Sequence, residues 1–257
     1  MFRAVLPSLL LLLGCNAEPP APEPAQSPVI TVDGGPGAPN LLVFSRTAKF
    51  RHDAIAIAVD ALVELARQRG YSLTATEDPT YFSDATLSAY GAVVFLMTTG
   101  DVLDDEQQAA LERFIPAGKG YVGVHSASDT EFAWPWYGEL VGAFFRAHSS
   151  VVPASVTVED ATQPATLGLP SPWMRDDEWY AFAENPRAKV SVLLSVDETS
   201  YDPGAGVMGS DHPVAWQRAF DGGRSFYTAL GHTRESYSDP TFMAHLSGGI
   251  EWALGLH

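Results

Sequence analysis

The chain has a single cysteine, Cys15, among its 257 residues. This excludes an intramolecular disulfide framework and any zinc cluster built from cysteines. Bases are scarce as well: 15 Lys and Arg stand against 31 Asp and Glu, a formal net charge of −16. With no Lys/Arg stripe to offset it, such a surface repels phosphate backbones, and nucleic acid is excluded as a partner. No internal repeat is present. What the chain does have is apolar residues, 46% hydrophobic and 11% aromatic, enough to give one large domain a full core and to rule out disorder for most of it.

The amino terminus reads as an address. Met1–Leu13 carries one base, Arg3, and then an apolar run ending in Leu9–Leu13, too short to span a bilayer as a mature helix. Residues 1–14 are therefore expected to be a signal peptide. Leu12-Leu13-Gly14-Cys15 resembles the bacterial lipobox, where cleavage before the Cys is followed by lipidation of its thiol, although Leu13 is bulkier than the usual residue. An ordinary secretory signal with an incidental Cys is the alternative. The expectation is an extracytoplasmic protein, periplasmic or at the cell surface, touching a bacterial membrane only through lipid on Cys15. Thiol catalysis is then excluded. Residues 15–39, rich in Pro, Ala, Glu and Gly, read as an extended tether, and residues 40–257 as the domain.

Within the domain, Leu41–Phe44, Ala92–Met97 and Gly120–Val124 are continuous apolar runs, the pattern of strands buried on both faces. Asp53–Gln68 has helical spacing and stops at Gly70, with Asp53 as its expected N-cap; Asp105–Ile115 follows a capping Asp104. Tyr71–Thr76 alternates as a strand. Ser155–Val158, Val190–Val196, Val214–Phe220 and Ser225–Ala229 add strands in the second half, and a helix over Pro240–Leu254 closes the chain. This predicts an α/β domain with a mostly parallel sheet, helices on both faces and extra strands in the carboxyl-terminal half.

Open parallel sheets bind ligands where loops leave the carboxyl ends of their strands. The sequence loads those loops with chemistry. Gly123-Val124-His125-Ser126-Ala127 has the outline of a nucleophile elbow with His at its centre, so His125 could act as a general base, a metal ligand or a donor to substrate. Asp129, four residues on, could orient the imidazole or take its own part. Arg51 and His52 follow the first apolar strand; Thr98-Thr99-Gly100-Asp101 follows the next, where Thr99, Gly100 and Asp101 offer amides and oxygens to a polar ligand. Glu178, among Asp176-Asp177-Glu178-Trp179-Tyr180, sets a carboxylate beside aromatic rings, an arrangement that suits a sugar, with Tyr180 as a stacking face; an acidic turn before a strand is the plainer alternative. His212 and His232 lie at strand boundaries. His148 and His245 have no such placement, and His245 is expected on a solvated helix face. Trp134-Pro135-Trp136-Tyr137 either walls the pocket or fills the core. Imidazole and carboxylate suit zinc, manganese or iron, so a divalent metal on His52, His125 and His232 is an open option, though no tight motif such as HExxH supports it.

Taken together, FSRTAKFRHD, VVFLMTTGDVLDDEQ, GYVGVHSASDTEFAWPWYGELVGAFF, DEWY, DHPVAWQ and YTALGHTRESYSDPTF resemble the ThuA-like family, named for trehalose utilisation, from about Asn40 to the carboxyl end. The resemblance implies a flavodoxin-like domain similar to class I glutamine amidotransferases, with His125 where those enzymes keep a catalytic Cys. It points to His52, Thr99, Gly100, Asp101, His125, Asp129, Glu178, His212 and His232. Amidotransferase chemistry does not carry over, since the elbow lacks Cys. The family's association with disaccharides and their 3-keto forms implies a small carbohydrate ligand and an enzyme in which a base such as His125 abstracts a proton next to a carbonyl, with or without a metal. Two other readings compete: a lipid-anchored, non-catalytic carbohydrate-binding protein, and a metal-dependent hydrolase of another polar small molecule.

Overall fold

The computed structural model describes residues 28–257; the expected signal peptide, Cys15 and the tether up to residue 27 lie outside the described residues. Among the described residues, ten strands form one sheet: β1 (Ile30–Val32), β2 (Asn40–Phe44), β3 (Ser72–Thr76), β4 (Ala92–Leu96), β5 (Gly120–Val124), β6 (Phe145–Val158), β7 (Trp173–Phe182), β8 (Ser191–Asp197), β9 (Pro213–Phe220) and β10 (Gly223–Thr228). The helices are α1 (Ile55–Arg69), α2 (Asp84–Leu87), α3 (Asp105–Phe114), α4 (Pro135–Val141) and α5 (Pro240–Leu254). Among the described residues, no helix is long and apolar enough to cross a membrane.

The strand order is β1-β3-β2-β4-β5-β10-β9-β8-β6-β7. Its β3-β2-β4-β5-β10 portion is parallel and has the doubly wound flavodoxin-like order, with a topological switch between β2 and β4. The expectation of a mostly parallel sheet needs correction: four pairings are parallel and five antiparallel. From β10 onward every pairing is antiparallel, because β6 to β10 follow one another with almost no helix between them, and short connections favour antiparallel neighbours. The sheet also begins before residue 40, since Ile30–Val32 pairs with β3 along its edge.

The three apolar runs became β2, β4 and β5, with every residue of β4 and β5 buried. Helices cover both faces. On β5, Gly120 lies against α5, where a Cβ would run into the Ala253 carbonyl, while its neighbour Tyr121 meets Tyr137 of α4 on the other side. α3 starts as expected, with Asp104 accepting from the Glu106 and Gln107 amides in a capping box. α1 does not: its N-cap is Ala54 and no side chain caps it, so Asp53 has no capping role.

Candidate active site

The elbow is real in backbone terms. His125 has φ +52°, a conformation disfavoured for a side chain of its size, and begins a short turn running to Asp129. Surrounding hydroxyls hold the turn in place. Tyr227 donates to the His125 carbonyl at 2.8 Å and Tyr137 donates to the Ala127 carbonyl at 2.7 Å. Gly123 is needed beneath it, since a Cβ there would sit 2.9 Å from both the Tyr121 hydroxyl and the Tyr227 ring. His125 itself is fully buried. Its Nδ1–H donates to the Ala229 carbonyl at 2.8 Å, which leaves the lone pair on Nε2.

That lone pair faces two other groups. His125 Nε2 lies 3.1 Å from His232 Nδ1 and 3.5 Å from Glu178 Oε2, and His232 Nδ1 lies 3.2 Å from the same oxygen. His52 completes the group: one ligand atom from each of His52, His125, Glu178 and His232 lies within 4.8 Å of every other. His52 arrives from the loop after β2, which is stitched to the end of β4: the Ala48 amide donates to the Thr99 carbonyl and the Thr99 hydroxyl donates to the Phe50 carbonyl, both at 2.7 Å. Glu178 comes from β7 and His232 from the loop after β10.

Atoms about 2.0–2.1 Å from a tetrahedral zinc ion are roughly 3.3 Å apart. The spacings of 3.1, 3.2 and 3.5 Å among His125, His232 and Glu178 match that edge length. Protonation favours the ligand form at two of the donors, His52 and Glu178, and opposes it at His232. Burial, with His125 and His232 adding, lowers the His52 pKa to about 3, so this imidazole keeps its lone pair in neutral solution. Burial works against the charge on Glu178, but the neighbouring His125 and His232 imidazoles outweigh it and hold the carboxyl well below its usual range. His232 is raised: burial opposes its proton, and the Glu178 carboxylate more than compensates. Two or three imidazoles with a carboxylate form a donor set suited to a divalent first-row ion.

The group opens onto a cleft of about 270 Å³ lined by Phe50, His52, Asp129, Phe145, His148, Glu178, Tyr180 and His232. Tyr180 packs tilted against His125 with ring centroids 4.2 Å apart and Phe145 against Tyr180 at 4.4 Å, while Phe50 stands 65% exposed at the mouth. Asp129 is half-buried, and burial raises its pKa against the opposing pull of Lys49, His125 and His148.

Of the residues expected at the site, His52, His125, Asp129, Glu178, Tyr180 and His232 come together here. Thr99 and Gly100 lie behind the cleft as stitches, Thr99 to the Phe50 loop and the Gly100 amide to the Asp129 carbonyl at 2.9 Å. Arg51 and Asp101 are exposed and do not line the cleft; Arg51 instead pairs with Glu77 at 2.7 Å. His212 is buried away from the cleft, with Nε2–H donating to the Tyr180 carbonyl and Nδ1 against Glu198, both at 2.7 Å, so it supports Tyr180 from behind. The aromatic run after the elbow fills the core, with Trp134 and Tyr137 buried.

Two histidines need correction. His245 is not solvated: it is fully buried, its Nδ1–H donating to the Ala165 carbonyl at 2.7 Å and its Nε2 accepting from Thr228. His148, without apparent placement in the sequence, lines the cleft with Nδ1 at 3.0 Å from Glu178 Oε1. The β6–β7 register breaks between His148 and Val151, directly beside it, and nothing in the composition of that stretch announces such a bulge.

The flavodoxin-like half-sheet, with loops at its carboxyl end that bring imidazoles and a carboxylate together, defines an α/β protein with a candidate strand-end site. Its family is given by sequence: residues 40–253 match ThuA, trehalose utilisation, and the chain belongs to that family of carbohydrate metabolism. No curated protein matches it. Among solved structures it is similar to a ThuA-like protein from Bacteroides uniformis, with TM-score 0.71 and 23% identity over 85% of this chain and 93% of that one. A ThuA-like protein from Parabacteroides merdae gives 0.69 and 18% over 84% and 90%. A β-galactosidase from Rahnella sp. R3 shares the fold at 0.54 and 14% identity, this chain covering 32% of its length.

Proposed function

We propose that this protein is a carbohydrate-active enzyme in which a divalent ion on His52, His125, His232 and Glu178 works with Asp129 on a keto-glycoside. The observation that carries this reading is the 3.1–3.5 Å mutual spacing of His125 Nε2, His232 Nδ1 and Glu178 Oε2 at the floor of the cleft. Bound there, the ion supplies a Lewis acid for a carbonyl or hydroxyl oxygen of the sugar. Membership of a trehalose-utilisation family and the Tyr180, Phe145 and Phe50 rings support a sugar as the ligand.

The proton-transfer group in this reading is Asp129. His125 has one ring nitrogen committed to Ala229, and the other points into the donor cluster. Asp129 lines the same cleft, and its raised pKa suits a group that must both take and return a proton. In a 3-keto-glycoside the C2–H bond breaks, its proton goes to the Asp129 carboxylate, and its electron pair moves to the carbonyl oxygen. Return of the proton to C2 from the opposite face gives an isomer; alternatively the enolate re-forms the carbonyl, C1=C2 forms as the C1–O bond breaks, and the departing glycosidic oxygen takes the proton from Asp129 and leaves as an alcohol. Outside the cleft, Cys15 is proposed to carry lipid and hold the domain at an extracytoplasmic membrane face. Release of a Cys15→Ala variant into the soluble fraction is the test.

The mechanism is tested by metal analysis beside turnover of a keto-disaccharide. The purified protein should contain close to one ion, lose turnover to a chelator and regain it with metal. Asp129→Asn should keep the ion and lose turnover. Full activity in metal-free protein, or in Asp129→Asn, refutes the reading; tight sugar binding without any turnover selects a non-catalytic binding protein instead.

A further inference from the structure

Asp177 takes no part in the cleft, being fully buried, yet it touches the cluster at two points. Its Oδ1 accepts the backbone amides of Glu178 at 3.0 Å and of His232 at 3.1 Å. Its Oδ2 accepts the Gly231 amide at 2.9 Å and Arg175 Nη2 at 2.8 Å. One carboxylate thus saturates its acceptor sites on the two backbone segments that present Glu178 and His232. These segments come from β7, at the far edge of the sheet, and from the loop after β10, near its centre. No strand pairing joins them, so Asp177 is a direct tie between them.

Arg175 holds that tie. It lies between the rings of Trp173 and Phe242, its Cζ at 4.7 and 5.0 Å from their centroids, and Nη2 also donates to Ser236 Oγ at 2.8 Å. Among the described residues, its Nε and Nη1 have no partner. A buried ion pair with two unpaired donors contributes little to stability, because desolvation offsets the attraction. Its geometric effect is better defined: the 2.8 Å contact from Arg175 Nη2 fixes the direction of the Asp177 carboxylate. We infer that Asp177, oriented by Arg175, is the positioning residue that sets the spacing between Glu178 and His232 and thereby the ion affinity of the site. The inference rests on the metal reading of the four donors.

The experiment is titration of metal-free protein with Zn²⁺, and with Co²⁺ followed by its visible absorption, for the parent chain and Asp177→Asn. The substituted amide leaves one oxygen for three amide donors and turns an NH₂ towards the rest. Its Kd for Zn²⁺ is expected to rise tenfold to a hundredfold, with an altered Co²⁺ spectrum and a retained thermal transition. An unchanged Kd and spectrum overturn the inference. If Asp177→Asn does not fold, Asp177→Glu, which keeps the charge but shifts the carboxylate by one methylene, is read by the same criteria. If the parent chain takes up neither ion, the metal reading falls, and positioning is judged from the ring ¹⁵N shifts of His232 and His125. Shifts displaced in Asp177→Asn support it; unchanged shifts overturn it.

Discussion

The His125 ring donates Nδ1–H to the Ala229 carbonyl at 2.8 Å and so turns its one free lone pair to within 3.1 Å of His232 Nδ1. Loss of that lone pair should be felt by the site more than by the fold. Asn tolerates the φ of +52° at this position better than most residues. His125→Asn is therefore expected to fold with a transition temperature within a few degrees of the parent while losing bound metal and turnover. Elemental analysis beside calorimetry checks this; a variant with the parent's metal content would remove His125 from the ligand set.

Thr99 acts at a distance, through its hydroxyl bond to the Phe50 carbonyl at 2.7 Å. Thr99→Val keeps the shape and removes the donor. It should cost about 1 kcal/mol in denaturant unfolding. The loop carrying Phe50 and His52 should loosen, with faster amide exchange across residues 48–52. Unchanged exchange there would show that the stitch does not hold the loop.

His212 is read as a support, so its loss should separate stability from metal binding. His212→Leu leaves the Tyr180 carbonyl and Glu198 without their buried partner. A destabilisation of about 1–3 kcal/mol is expected, with the metal stoichiometry unchanged. A variant that is fully stable but metal-free would move His212 into the site.

Two buried imidazoles should make the metal-free protein sensitive to acid. From the ordinary 6.5, burial lowers His245 to about 4, and burial together with its histidine neighbours lowers His52 to about 3. Between 6.5 and those values the unfolded chain binds protons that the folded chain does not. Stability present above 6.5 is therefore lost as pH falls towards and through the folded values, by about 3 kcal/mol for His245 alone. Glu178, also held low, acts in the same direction at more acid pH. His232, which is raised, opposes it by stabilising below 6.5 and fading as pH climbs through its folded value. Urea midpoints from pH 7.5 to 4.5 should fall accordingly. His245→Asn should flatten the slope, and a slope unaffected by that change would contradict the assignment.

Much of the parallel half was legible in the sequence because strands buried on both faces are written as unbroken apolar runs. Leu41–Phe44, Ala92–Met97 and Gly120–Val124 each landed on a strand, and the loops after two of them delivered His52 and His125 to one point. The antiparallel half was harder to read. No strand is predicted over β7, and an acidic turn stands as one alternative there, because its charges alternate between faces: Asp176 and Met174 are exposed, while Arg175 and Asp177 are buried against each other. That pairing depends on Trp173, Phe242 and Ser236, a contact set that no local pattern reveals. His245 was misread because α5 is buried on more than its apolar stripe. Gly248 and Gly249 let a loop carbonyl and the Phe226 ring approach it closely, enclosing the imidazole as well.

The switch of the sheet from parallel to antiparallel at β10 has a further consequence. His52 and His125 belong to the parallel half, Glu178 to the antiparallel half, and His232 leaves the strand where the two are joined. An ion on these four side chains would act as a clasp across that seam, closing long stretches of chain that no disulfide can close. Unfolding would have to release it, so the stability of the protein should rise with the free concentration of the metal, and a chelator should weaken the whole molecule as well as silence the cleft.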